Sequence, residues 1–202
     1  ALVVIALALT LSVPVTVSLL GNLDWGPVWG GYLASVLLAG MYAAIGLLMS
    51  SRTDNQIVAL ISTALVCGVL YLIGSPGVTD FVGQNLGEVL RAIGAGSRFE
   101  SIERGVVDLR DLVYYLSMAG LFLTLNVLSI RAKGWSEGER TRPKRVALAV
   151  TSGLMALNLI VVNVWMFPLR RLRLDMTEYQ KYTLSETTRD LLQDLQEPLL
   201  IR

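Results

Sequence analysis

Apolar residues along the chain gather into five blocks, Ala1 to Leu20, Val28 to Met49, Gln56 to Ile73, Leu112 to Ile130 and Val146 to Phe167, and no Asp, Glu, Lys or Arg interrupts any of them. A helix of about 20 residues crosses the ~30 Å hydrocarbon core of a bilayer, so each block is sized for one crossing. Helices of water-soluble proteins keep a charged face toward solvent, and a series of charge-free blocks argues against that class. The pattern predicts an all-α integral membrane protein with five transmembrane helices.

The polar intervals carry structure of their own. Between the third and fourth blocks, Val82, Leu86, Val89, Leu90 and Ile93 recur at helical spacing, with Gln84, Asn85, Glu88 and Arg91 turned away. This predicts an amphipathic helix of about three turns. Gly94-Ala95-Gly96-Ser97 reads as a break, and Arg98 to Arg104 as a second short piece before Gly105. Residues 82–104 are thus expected to form an outer helical hairpin, either re-entrant and buried against protein or lying on the membrane surface to seal the bundle. Asp108-Leu109-Arg110-Asp111 opens the fourth span, where carboxylates can accept from free backbone amides and complement the positive helix end.

After the fifth block the sequence changes character. Thr183, followed three residues later by Glu186, makes a capping-box pattern, with Leu184, Leu191, Leu192 and Leu195 forming an apolar stripe behind it. Glu197-Pro198 stops that helix, and Leu199-Leu200-Ile201 reads as the opening of a buried strand. A helix followed at once by a strand predicts the first unit of an extracytoplasmic α/β domain. The chain opens without Met inside an apolar run and stops at Ile201-Arg202, so it reads as a piece of a longer protein. Ala1 to Leu20 lacks the basic start of a signal peptide and reads as a retained membrane helix.

Small and polar residues inside the spans bear on packing. Ser35, Ala39 and Ala43 lie four apart on one face of the second span, which permits close helix contact within the chain or between subunits. Ser152 and Ala156 make a shorter face of the same kind in the fifth span. Asn126, Asn158 and Asn163 read as interhelical hydrogen-bonding groups, since a neutral amide lacks the charge of an ion relay.

The net charge of +1 over 202 residues gives no reason to expect nucleic acid, but the distribution of charge sets an orientation. The turn Ser50 to Asn55 holds Arg52, and the segment Arg131 to Arg145 holds Arg131, Lys133, Arg140, Arg142, Lys144 and Arg145. With the basic loop in the cytoplasm, the Arg52 turn lies there too and the segment from Pro168 onward lies outside the cytoplasmic (inner) membrane. Arg170, Arg171 and Arg173 oppose this and are outnumbered by the six at the other end of the same helix. The chain divides accordingly into a four-span part (1–131), a cytoplasmic basic linker (132–145), an anchor helix (146–167) and the start of an extracytoplasmic domain (168–202).

Little catalytic chemistry is available. The chain has no His, and its one Cys, Cys67, sits inside the third span, so an intrachain disulfide and Ser/His or Cys/His catalysis within these residues are excluded. No Cys or His cluster offers a metal site, and no Gly-Lys-Ser or Gly-Lys-Thr marks a P-loop, so this chain cannot hydrolyse ATP alone. Glu100, Glu103, Asp108 and Asp111 interleave with Arg98, Arg104 and Arg110, a pattern that predicts solvated ion pairs. No catalytic, cofactor-binding or metal-binding residue is assigned.

Three strings carry a family resemblance. Gly40-Met41-Tyr42-Ala43-Ala44-Ile45-Gly46-Leu47-Leu48-Met49-Ser50-Ser51-Arg52-Thr53-Asp54-Asn55-Gln56-Ile57-Val58-Ala59 resembles the turn between the fourth and fifth helices of type-2 ABC exporter permeases. Arg98-Phe99-Glu100-Ser101-Ile102-Glu103-Arg104-Gly105-Val106-Val107-Asp108-Leu109-Arg110-Asp111-Leu112-Val113-Tyr114-Tyr115 is similar to the approach to their sixth helix. Arg173-Leu174-Asp175-Met176-Thr177, followed by Lys181-Tyr182-Thr183-Leu184-Ser185, resembles the start of the auxiliary protein paired with that permease in gliding-motility-type ABC systems, the GldF and GldG family. The strings occur in the order expected of a permease fused to its partner.

The resemblance implies that the first four spans are the last four of a six-helix permease, with residues 82–104 as its outer hairpin, and that the fifth anchors the auxiliary part. It implies a separate cytoplasmic P-loop ATPase that uses ATP and magnesium, a second permease copy, and contact with that ATPase through the turn Ser51, Arg52, Thr53 and Asp54 or through the basic linker. Two functions follow as expectations. One is a transmembrane subunit of an ABC transporter, coupling ATP hydrolysis elsewhere to export or to force transmission. The other is a non-transporting anchor or scaffold for an extracytoplasmic domain in a larger complex. An intramembrane hydrolase would need His or acidic residues supplied by other segments.

Overall fold

The computed structural model describes residues 2–134, 142–166, 173–178, 180–183, 185 and 188. The chain is a mostly helical, membrane-embedded protein. Helix α1 (Leu2–Thr10) continues past a turn at Leu11 into α2 (Ser12–Leu20), followed by α3 (Trp25–Arg52) and α4 (Gln56–Leu72). Three short helices come next, α5 (Pro76–Val82), α6 (Gln84–Ile93) and α7 (Ala95–Glu103), then strand β1 (Val106–Asp108) and α8 (Leu109–Lys133). Helix α9 (Arg142–Met166) and strand β2 (Arg173–Asp175) complete the described elements.

Among the described residues, four segments are long and apolar enough to cross a membrane: Leu2–Leu20, Trp25–Arg52, Leu109–Lys133 and Pro143–Met166. The third predicted block is the 17-residue α4. At 1.5 Å per residue it rises about 25 Å, the lower limit for a crossing.

Local chemistry fixes the helix starts. The Asp24 carboxylate accepts from the Gly26 amide at 3.0 Å at the head of α3, and the Asn55 side chain accepts from the Ile57 amide at 2.9 Å at the head of α4. Asp108 caps α8 as expected, accepting from the Arg110 amide at 3.2 Å, with Asp111 in the first turn. Arg131 and Lys133 sit in the last turn of α8, where positive charge complements the exposed carbonyls.

Helix α3 is the hub, packed chiefly against α8, α7 and α4. The core joins Ala34, Met41 and Ile45 of α3 to Cys67, Ala95, Ile102, Val107, Tyr114 and Tyr115. Helices α1 and α2 have no buried residue, and α9 lies against α8 with Ser152 buried and Ala156 half-buried.

The small-residue face of α3 lies beside its buried side rather than at its centre. Ala43 is exposed and Ser35 and Ala39 are half-buried, while Ala34, Met41, Ile45 and Leu48 are buried. Small side chains permit close approach but do not compel it, and the larger apolar set fills the space toward α8. Close approach on α3 falls instead near its N-terminal end. A Cβ on Gly26 would lie 2.2 Å from the Met176 carbonyl oxygen, and one on Gly30 would lie 2.1 Å from that of Ile102.

The hairpin region also departs from expectation. Helices α5 and α6 pair with each other across Gly83, whose φ of +87° favours glycine, and Arg91 Nη2 meets Asp80 Oδ1 at 3.0 Å. Helix α7 leaves that pair and enters the bundle, burying Ala95, Gly96, Arg98 and Ile102. Ala95, Gly96 and Ser97 are thus the first turn of a helix rather than a break. Gly94 serves contact, since a Cβ there would lie 2.3 Å from Gly74 Cα. Helix α7 is buried against protein, whereas Val82, Leu86, Val89 and Ile93 are exposed and Leu90 is half-buried.

Candidate functional site

The end of the bundle that carries α5–α7 concentrates most of the polar chemistry. Arg98 projects from α7 with its side chain 10% exposed, and its Nη1 pairs with Asp111 Oδ1 at 2.7 Å, Asp111 being 2% exposed. Arg98 Nη2 donates to the Ala92 carbonyl at 2.9 Å, near the carbonyl-rich end of α6, and the guanidinium lies 4.3 Å from the Tyr114 ring centre. Arg110 Nε stands 2.9 Å from Asp108 Oδ2 and 3.8 Å from Asp111 Oδ1. The expectation of solvated pairs therefore fails for Arg98, Asp108 and Asp111. It fails because α7 folds into the bundle and carries Arg98 over the head of α8. Arg104 and Glu100, 3.7 Å apart on the outer side of α7, keep the more open character.

Two neighbouring tyrosines lock the same junction. Tyr115 Oη donates to the Ala95 carbonyl at 2.8 Å, and Tyr114 Oη donates to the Ile93 carbonyl. These bonds flank Gly94, where α6 ends and α7 begins, and the one at Ile93 gives a partner to a carbonyl that the end of α6 leaves unpaired.

The segment after the last span docks onto this end. Strand β2 pairs antiparallel with β1 in the register Val106↔Asp175, Val107↔Leu174 and Asp108↔Arg173. The Met176 amide donates to the Gly105 carbonyl at 2.9 Å, and Gly105 has a φ of +84° that a side chain would strain. Asp24 Oδ1, which caps α3, also accepts from the Glu178 amide at 3.2 Å. Asp175 organises the following turn: it accepts from the Thr177 hydroxyl at 2.6 Å, the Thr177 amide at 3.1 Å, the Tyr182 amide at 2.8 Å and the Thr183 hydroxyl at 3.1 Å. Burial pushes the Asp175 carboxyl up, but these hydrogen bonds outweigh it and hold the group below the usual carboxylate range. Thr183, expected as a helix cap, here bonds to Asp175, while its expected partner Glu186 and the helix and strand predicted beyond it lie outside the described residues.

At the opposite end, the Arg52 turn is compact and open. Ser51 Oγ donates to the Leu48 carbonyl at 2.8 Å, Thr53 Oγ1 accepts from the Asn55 amide at 3.2 Å, and Arg52 and Asp54 are exposed. Asp54 Oδ1 stands 3.7 Å from Lys133 Nζ at the end of α8, so the turn and the start of the basic linker share one face of the molecule.

Of the three asparagines, Asn163 bridges helices: its Nδ2 donates to Ser117 Oγ of α8 and to the Leu159 carbonyl. Asn158 is exposed, and the Asn126 Oδ1 is buried with no hydrogen-bond partner among the described residues. Around the Asn163–Ser117 bridge, α6, α7, α8 and α9 line an open cavity of about 650 Å³.

Sequence reasoning did not find the Arg98–Asp111 pair or the β1–β2 contact. The signal for the first is an arginine in a glycine- and alanine-rich segment that packs closely. Strand β2 spans only three residues and is defined by a partner more than sixty positions away. No family model matches the chain, and no curated protein or solved structure gives a significant match.

Proposed function

We propose that the chain is a transmembrane subunit of an ABC transporter complex, in which a separate cytoplasmic P-loop ATPase supplies the energy and the helices pass it to the outer face as export or as force. In this reading five helices span the inner membrane, α4 among them as a short or tilted crossing. Helices α5–α7 form the outer cap, and β2 begins an extracytoplasmic α/β domain. The complex holds a second permease copy.

One observation carries the reading. The segment that resembles the auxiliary protein does not hang free after the last span; it pairs with β1 and seats Met176 and Glu178 on the head of α3, both within the part that resembles the permease. The two resemblances thus meet at a single physical joint. The exposed turn at Ser51, Arg52, Thr53 and Asp54, beside Lys133, offers a surface for the ATPase at the other end of α3 and α8.

The test is gentle purification of the full-length protein from its native membrane, with co-purifying proteins identified by mass spectrometry. A stoichiometric P-loop ATPase, whose hydrolysis is stimulated by the complex and loses that stimulation with Arg52→Ala, supports the reading. Recovery of other membrane subunits without such an ATPase favours the non-transporting anchor and overturns coupling.

A further inference from the structure

We propose that the polar cavity between helices α6 and α7 and the docked tail binds a phosphate group, and that the bound phosphate fastens the tail to those helices. The cavity, of about 330 Å³, lies at the lower end of the range of small-molecule pockets, about 300–1,000 Å³. Three arginines from three elements line it: Arg91 of α6, Arg104 at the end of α7 and Arg173 of β2. Glu100, Ser101 and Tyr182 add one carboxylate and two hydroxyls to the lining.

Charge within this cluster does not balance. Arg91 is committed to Asp80, with Nη2 3.0 Å from Oδ1, while Arg104 has Glu100 at 3.7 Å, too far for a hydrogen bond. Among the described residues Arg173 makes no ion pair; its register partner Asp108 turns instead to Arg110, 2.9 Å away. One guanidinium is thus left without a counter-charge in a cavity that already holds two others. Their mutual repulsion favours an anion between them.

The donor set selects phosphate among anions. A carboxylate has two oxygens, which a single guanidinium fork satisfies. Guanidinium groups arriving from three elements, with the Ser101 and Tyr182 hydroxyls beside them, suit an anion with more oxygens. Position agrees with this chemistry. Gly74 lines the cavity two residues past the end of α4, and Val106 lines it three residues before the start of α8. The cavity therefore sits just beyond the ends of apolar helices, at the level of headgroup phosphates, where a lipid or a soluble phosphate can supply the group.

Arg173 and Tyr182 belong to the tail, held in place by the β1–β2 ladder and by the Tyr182 amide, which donates to Asp175 at 2.8 Å. The full donor set exists only while the tail is docked, so a ligand that uses it stabilises docking.

This site does not depend on coupling to an ATPase, and its test leaves the transport reading untouched. The full chain is held in dodecyl maltoside, an uncharged detergent without phosphate, and exchange of the Met176 and Tyr182 amide hydrogens is followed. Inorganic phosphate should slow exchange by about tenfold at ten times its apparent dissociation constant, relative to chloride at the same ionic strength. In a second arm phosphatidylglycerol is added to the micelles and compared with diacylglycerol, which carries no phosphate. Slowing by inorganic phosphate supports the site with a soluble occupant, and slowing by phosphatidylglycerol alone supports it with a lipid headgroup. Arg104→Gln/Arg173→Gln should abolish either effect, with Arg173→Gln as the milder variant if the pair does not fold. Unchanged exchange in both arms overturns the proposal. Equal slowing by chloride or diacylglycerol also overturns it, as does slowing that a folded variant retains.

Discussion

Removal of Arg98 should destabilise the protein more than any single surface substitution, because it strands a buried carboxylate. Asp111 is 2% exposed and its ion pair with Arg98 spans 2.7 Å. Breaking a buried pair by deleting one partner costs about 3–5 kcal/mol. In Arg98→Met the nearest remaining cation, Arg110 Nε, stands 3.8 Å from Asp111 Oδ1, too far for a hydrogen bond, and the Ala92 carbonyl loses its donor as well. Arg110 offsets some of the loss by charge alone, which places Arg98→Met at about 4 kcal/mol. Asp111→Asn keeps an acceptor for Arg98 and should cost about 2 kcal/mol. The double variant Arg98→Met/Asp111→Leu removes both charges and replaces them with apolar volume. It should cost about 2 kcal/mol less than the sum of Arg98→Met and a separately measured Asp111→Leu. Unfolding of the purified protein by SDS in mixed micelles, followed by tryptophan emission, gives the four differences from the parent. If Arg98→Met and Asp111→Asn both fall within about 0.5 kcal/mol of the parent, the range of ordinary surface changes, the pair is solvated and the burial argument is wrong.

Further predictions concern the docked tail and the α8–α9 contact. Gly26→Ala puts a Cβ 2.2 Å from a backbone carbonyl oxygen, so exchange of the Met176 amide hydrogen should accelerate, while Gly40→Ala, which meets nothing within 4 Å, leaves it unchanged. Asp175 titrates below its ordinary value when the tail is docked, so its contribution is complete above about pH 4 and is lost as pH falls through the lowered folded value. The distance between spin labels on the tail and on α3 should therefore broaden only in that acid range, and Asp175→Asn should weaken docking at neutral pH and remove the acid dependence. Asn163→Leu deletes the bridge to Ser117 and should cost about 0.6 kcal/mol in the same micelle titration, with an upper limit near 1.7 kcal/mol. A cost above about 3 kcal/mol would mean that the bridge holds more than one helix contact.

The long apolar helices were legible because one physical requirement, an apolar surface of fixed length, dominates their composition. Gln56 to Ile73 became α4, Leu112 to Ile130 lies within α8, and the Asp108 cap was readable from four residues because capping is a local event. Features built from distant partners were not. Arg98 and Asp111 looked like surface charges because nothing in their immediate sequence says that α7 turns inward. The buried face of α3 was not legible for a related reason: Ser35, Ala39 and Ala43 advertise smallness, while the buried face is chosen by what the neighbouring helices must fill. Strand β2 consists of Arg173, Leu174 and Asp175, whose alternation is too short to register without β1 beside it.

Asp108 belongs to two elements at once, as the last residue of β1 and the cap of α8. Its register partner Arg173 is the first residue of β2, while Asp175 at the other end of β2 holds Thr177, Tyr182 and Thr183. A pull applied at Thr183 would therefore divide between two routes. One share travels along the chain to α9, and the other crosses the ladder into Asp108 and tilts the head of α8. With Ser117 and Asn163 tying the two helices together lower down, the pair would respond as a braced lever rather than as a single tether.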